Sequence, residues 1–120
     1  MNILFINGSP NSNGNTAALA KELLQGKEYE TLNLTDYKIG SYGQKLEGDG
    51  LGQVIAKMEQ AEVIVIGSPL YWHNICGSVR NMLDRFYGLV QTAHCRAEHF
   101  ISSFRALRRK NGCWKPENIR

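Results

Sequence analysis

Hydroxyl and amide side chains crowd one short stretch near the start of the chain, Gly8-Ser9-Pro10-Asn11-Ser12-Asn13-Gly14-Asn15-Thr16. Ser9, Ser12 and Thr16 can donate hydroxyls, and Asn11, Asn13 and Asn15 can donate amides, to the oxygens of an anion. No Lys precedes Thr16, as a Walker loop requires, and Gly8 and Gly14 do not fit the G-x-G-x-x-G order of a dinucleotide fingerprint. A neutral nest of this kind suits one terminal phosphate, such as that of a mononucleotide. An ordinary strand–helix turn capped by Asn15 or Thr16 would use the same residue types, so the stretch alone leaves both readings open.

A second set follows at Ser68-Pro69-Leu70-Tyr71-Trp72-His73-Asn74, with two aromatics, an imidazole and an amide in seven residues. Tyr and Trp beside backbone N–H groups suit a flat heteroaromatic ring that needs a stacking surface and hydrogen bonds to its edge. Packing of Tyr71 and Trp72 back onto helices is the competing reading of that pair. Further on, Arg80 and Asp84 stand one helical turn apart and read as a helix-face ion pair rather than as catalysts.

The elements that must position these residues follow from hydrophobic period. Ile3-Leu4-Phe5-Ile6 and Val63-Ile64-Val65-Ile66 are continuously apolar, as expected of parallel strands covered on both faces. Tyr29 to Leu34 alternates and predicts a more exposed strand. The spacing predicts a helix over 16–25 with Leu19, Leu23 and Leu24 inward, and a second carrying Leu51, Val54, Ile55 and Met58. Asp49 stands where it can cap the second helix. A third carries Ile75, Val79, Met82, Leu83 and Phe86 inward. Residues 35–50 are expected as loop. Alternating strands and helices mark an α/β fold, in which ligands bind outside the carboxyl ends of the strands. The loops at 7–16 and 67–74 therefore belong on one edge of the sheet.

With those motifs in order, the chain resembles the flavodoxin-like NAD(P)H-dependent oxidoreductases, the FMN reductase and quinone reductase group. The resemblance is carried by Gly8-Ser9-Pro10 through Gly14-Asn15-Thr16, by Gly67-Ser68-Pro69-Leu70-Tyr71-Trp72, and by Gly77 through Phe86. It covers residues 1 to about 88 and implies a three-layer sandwich with a parallel sheet of order 2-1-3. It assigns the FMN phosphate to Ser9, Asn11, Asn15 and Thr16. The isoalloxazine goes to Pro69, Leu70, Tyr71 and Trp72, with Asn74 beside them. NAD(P)H would be the cosubstrate and a quinone, nitro, azo or similar small molecule the acceptor. Because the flavin carries that chemistry, no catalytic acid or base is required; His73 is a candidate for proton delivery or acceptor contact. A flavodoxin-type electron carrier and an inactive remnant acting through association are the alternatives. Some relatives hold an iron–sulfur centre on cysteines between the second strand and second helix; Tyr37 to Gly52 contains no Cys, which excludes that variant.

At 120 residues and a net charge of +3, with no basic face interleaved with aromatics, nucleic acid is not indicated. Three cysteines without a C-x-x-C, no membrane-length apolar run and no signal peptide point to a cytoplasmic protein, expected as a homodimer.

The pattern breaks after about Val90. Residues 1–90 are expected as the FMN-binding domain and 91–120 as an atypical tail, disordered or helical around 96–110, with the fourth and fifth strands missing or degenerate. His99 to Phe104 could form a short strand. A shifted reading frame would explain the tail, since Cys95, Phe100, Ser102, Ser103 and Phe104 all have codons beginning with T and shift to apolar residues; truncation and a short divergent member are the alternatives. His94, Cys95, His99 and Cys113 match no common zinc module, and no metal is expected. Without a fourth strand, Val63 to Ile66 would lie at an apolar sheet edge.

Overall fold

The computed structural model describes residues 2–93, 104–110 and 113–117. A central sheet of five strands has the order β2-β1-β3-β6-β7. Its core is β1 (Ile3–Asn7), flanked in parallel by β2 (Glu30–Asn33) and β3 (Val63–Gly67). The helices are α1 (Asn15–Leu23), α2 (Leu51–Gln60) and α3 (Gly77–Ala93). Every residue of β1 and β3 is buried, which accounts for their unbroken apolar sequence.

The pleat sends alternate side chains to opposite faces. Leu4, Ile6, Ile64 and Ile66 pack with Leu51, Val54 and Met58 of α2 and with Val79 and Met82 of α3. Ile3, Phe5, Val63 and Val65 pack with Ala20 and Leu24 on the α1 side. Burying each large aliphatic side chain contributes about 1.5–3 kcal/mol, so these two layers are what hold the strand ends in place.

The inner stripe of α1 differs from the expected one. Thr16 and Ala20 are buried within it and Leu24 at its C-cap, whereas Leu19 is 52% and Leu23 40% exposed. Residues 16, 20 and 24 recur every fourth position and trace one stripe, and the leucines at 19 and 23 fall on the neighbouring one. Here a small-residue seam faces the sheet and lets the helix approach closely. In α2, Leu51, Val54 and Met58 are buried as expected.

The edge of β3 is not open. β6 (Phe104–Lys110) pairs with it antiparallel, from Gly67 opposite Phe104 to Val63 opposite Arg108. β7 (Cys113–Glu117) then pairs antiparallel with β6. This corrects the expected bare edge and, over Phe104–Lys110 and Cys113–Glu117, the expected disordered or helical tail. The reason is that the N–H and C=O groups along a strand edge recruit backbone, and backbone pairing asks little of side-chain identity. Pro116 in the outermost strand lacks an N–H and blunts the edge that results. The stretch containing His94, Cys95, His99 and the shifted-frame positions before Phe104 lies outside the described residues.

Candidate functional site

Sheet order reverses at β1: its successor β2 lies on one side and β3 on the other. The crevice at such a switch point, outside the carboxyl ends of β1 and β3, is where open α/β sheets bind ligands. Both candidate loops emerge there.

The first loop is built on its own side chains. Asn7, fully buried at the end of β1, accepts the Ser9 N–H at 3.1 Å and donates to Asn33 Oδ1 of β2 at 3.3 Å. Ser9 Oγ accepts the Asn11 N–H at 3.1 Å, and Asn11 Oδ1 accepts the Asn13 N–H at 3.0 Å. The Asn11 carbonyl takes the Gly14 N–H at 3.3 Å, and Gly14 leads into α1. These bonds consume oxygens as acceptors and leave the Ser9 hydroxyl proton and the Asn11 amide nitrogen free to donate outward.

The N-terminus of α1 carries the decisive feature for an anion. Gly14 is the N-cap, no side chain caps the helix, and its first turn holds no acidic residue. Asn15 and Thr16 therefore do not serve as the cap. The first bond into the helix runs from the Ala18 N–H to the Gly14 carbonyl, so the N–H groups of Asn15, Thr16 and Ala17 donate to nothing among the described residues. Such orphan donors at the positive end of a helix dipole make an anion cradle. The donor set fits a phosphate: hydroxyls, an amide and free N–H groups, with no carboxylate from Asn7 to Thr16 to oppose it.

The second loop is a miniature hairpin that the sequence did not announce. β4 (Leu70–Tyr71) pairs antiparallel with β5 (Asn74–Ile75), leaving Trp72 and His73 as a two-residue turn. Both have positive φ, 50° and 63°, as a type I′ turn demands, although Asn-Gly is the usual pair there. Strain of about 1–3 kcal/mol per such residue is tolerated mainly at functional sites. The turn holds Trp72 95% exposed, with Leu70 and Tyr71 more than half exposed and Pro69 half-buried at the hinge. Tyr71 and Trp72 therefore do not pack back onto helices. Asn74 Oδ1 accepts the Ile75 N–H at 2.8 Å, which leaves its NH2 group to donate. His73 lies on the same exposed tip, its ring 6.4 Å from that of Trp72.

Two close approaches join the loops. The Gly8 N–H donates to the Gly67 carbonyl at 2.8 Å. A Cβ on Gly67 would lie 2.7 Å from the Thr16 methyl and 2.8 Å from Phe5, so Thr16 is seated directly over the end of β3. Arg80 and Asp84 do form an ion pair, 3.6 Å apart and exposed.

A wider comparison agrees with this geometry. The family model for NADPH-dependent FMN reductase matches residues 1–106. The chain belongs to that family. The match runs past residue 88, where the motif resemblance ends. An iron–sulfur flavoprotein of Archaeoglobus fulgidus is 38% identical over 101 residues, covering 71% of this chain and 48% of its own. One from Methanocaldococcus jannaschii is 32% identical, with 71% and 51% covered. A putative NAD(P)H-dependent FMN-containing oxidoreductase of Bacillus subtilis is 29% identical, with 72% and 52% covered. The chain thus spans about half the length of the curated relatives it matches. Among solved structures, the Trp repressor binding protein of Bacillus subtilis superimposes with a TM-score of 0.58 at 25% identity, over 74% of this chain and 53% of that one. A flavone reductase shares the fold, with a TM-score of 0.59 at 23% identity over 82% of this chain and 38% of that one.

This chain has no cysteine from Tyr37 to Gly52, and among the described residues no group of three or more His, Cys, Asp or Glu could hold a metal ion. The residues present between β2 and α2 do not fit such a cluster. No described helix is long and apolar enough to cross a membrane.

Proposed function

We propose that the two loops hold FMN and that the protein is an NAD(P)H-dependent oxidoreductase passing reducing equivalents to a small-molecule acceptor. The observation that carries this reading is the uncapped start of α1, whose free N–H groups lie on the same sheet edge as the aromatic hairpin. Ser9, Asn11, Asn15 and Thr16 bind the phosphate, the last two through the helix N-terminus. Pro69, Leu70, Tyr71 and Trp72 line the ring, and Asn74 donates its amide to the ring's polar edge. Bound FMN would supply the hydride chemistry, moving a hydride from NAD(P)H to the acceptor. The chain's own part is to bind, to orient and to limit water. His73, beside Trp72 on the hairpin tip, is placed to contact the acceptor or to deliver a proton to it.

Residues 1–90 form the cofactor-binding unit in this reading. A quinone, nitro or azo compound is the acceptor class, and the assembly is a homodimer in the cytoplasm. The test is an FMN titration of the purified chain followed by fluorescence quenching, then NAD(P)H oxidation with a quinone acceptor. Saturable, stoichiometric quenching with turnover is the expected result. Quenching without turnover would leave a flavin-binding electron carrier, and a folded sample that binds no FMN would overturn the reading.

A further inference from the structure

Two residues at the entry to α3, Cys76 and Ser78, tie the loops together. The Ser78 hydroxyl donates to the Gly8 carbonyl at 2.9 Å, and the buried Cys76 thiol reaches the same oxygen at 3.4 Å. The other end of that peptide, the Ser9 N–H, is held by Asn7 Oδ1. One peptide plane is therefore fixed at both ends, from α3 and from β1, at the point where the first loop leaves the sheet. From it the bonds continue outward through Ser9 Oγ to Asn11 and through Asn11 to Asn13 and Gly14, reaching the first turn of α1.

The same short segment holds the second loop by a different bond. The Cys76 N–H donates to Ser68 Oγ at 2.9 Å, and that hydroxyl donates onward to the Pro69 carbonyl at 2.9 Å. Ser68 is buried and stands at the hinge of the aromatic hairpin. Ser78 thus acts on one loop and Ser68 on the other, with Cys76 between them. Neither serine has to touch a ligand to set where its loop presents donors or ring faces.

We infer that Ser78 is a positioning residue for the phosphate-facing loop and Ser68 for the ring-facing hairpin, so that the two halves of the ligand site are set separately by one clamp at Cys76–Ser78. This rests on the FMN reading above. FMN and riboflavin differ by the phosphate alone, so the ratio of their affinities isolates the first loop. Ser78→Ala lowers that ratio roughly fivefold, the scale of one lost hydrogen bond, and Ser78→Thr, which keeps the hydroxyl, restores it. Ser68→Ala weakens both ligands by the same factor and leaves the ratio unchanged. An equal loss of both ligands in Ser78→Ala, or an unchanged ratio, would overturn the inference.

Amide hydrogen exchange on the ligand-free chain keeps this separate from the FMN reading. Ser78→Ala speeds exchange at Ser9, Asn11, Asn13 and Gly14 by roughly tenfold, as local opening becomes easier, while Thr31 and Leu32 in β2 exchange as before. Uniform acceleration across both regions, or none, would show that Ser78 does not hold the loop. If the unaltered chain binds neither flavin, the cofactor reading fails and the exchange pattern still decides the clamp.

Discussion

Arg85, on α3, donates to Asp49 Oδ2 at 2.5 Å and, with the same nitrogen, to the Gly40 carbonyl at 3.2 Å. Asp49 also accepts the Gly40 N–H and, through Oδ1, the Leu51 N–H at the start of α2. The carboxylate thus sits one residue before the N-cap Gly50 yet still caps the helix, while the arginine closes the loop onto α3. That loop's ends also meet, the Gly50 N–H reaching the Lys38 carbonyl at 2.7 Å.

This pair makes stability depend on pH in a stated direction. The Arg85 hydrogen bond, then the Leu51 N–H, hold the Asp49 carboxyl at about 2 against an ordinary 3.8. As pH falls, the unfolded chain takes up the proton first. The contribution is therefore complete above 3.8 and is lost as pH drops toward about 2. Urea midpoints of the natural chain and Asp49→Asn, compared across that range, differ at neutral pH and converge in acid. A constant gap would remove Asp49 as the source.

Gly8 has no room for a side chain. A Cβ there would stand 2.3 Å from Val79 Cγ2, 3.0 Å from the Gly67 carbonyl and 3.1 Å from Cys76 Sγ. Gly8→Ala costs about 1–3 kcal/mol by overpacking. Val79→Ala in the same chain recovers part of that cost, and a double-mutant cycle on urea unfolding measures the coupling.

The Trp72-His73 turn trades stability for exposure. Trp72→Asn together with His73→Gly relieves two positive-φ strains and stabilises the chain by about 1–3 kcal/mol. The same variant loses riboflavin affinity, because the aromatic face goes with it. Chemical denaturation and a fluorescence titration on one preparation check both halves.

The face of α1 is tested by a contrast. Leu19→Lys, at a half-exposed position, changes stability by no more than about 0.5 kcal/mol. Leu24→Ala, at a fully buried one, costs about 2–5 kcal/mol. Thermal or urea melts of the two variants give the opposite order only if the helix is rotated.

The central strands were readable because complete burial writes itself as unbroken apolar sequence, as in Ile3 to Ile6 and Val63 to Ile66. Leu19 and Leu23 fall off the buried stripe of α1, where the close approach that Ala20 permits outweighs apolar character. The hairpin was not readable: Trp-His is not a turn pair by propensity, and only its two positive φ values reveal one. Ser68 and Ser78 stand inside the Gly67–Trp72 and Gly77–Phe86 motifs, yet Gly8, the partner of Ser78, lies 70 residues away along the chain. Spacing cannot express such a bond. Arg105 to Lys110 is mostly basic and shows no strand pattern of its own, because its strand character comes from the β3 edge beside it.

The direction of β6 settles which part of the chain can reach the crevice. A parallel strand beside β3 would finish at the carboxyl edge and hand the loop that follows it to the ligand. β6 instead begins there, with Phe104 opposite Gly67, and runs away toward the amino edge, where Lys110 pairs with Cys113 of β7. Among the described residues of β6 and β7, it is therefore the start of β6 at Phe104 that lies nearest the crevice, while Lys110 and Cys113 lie at the opposite rim of the sheet.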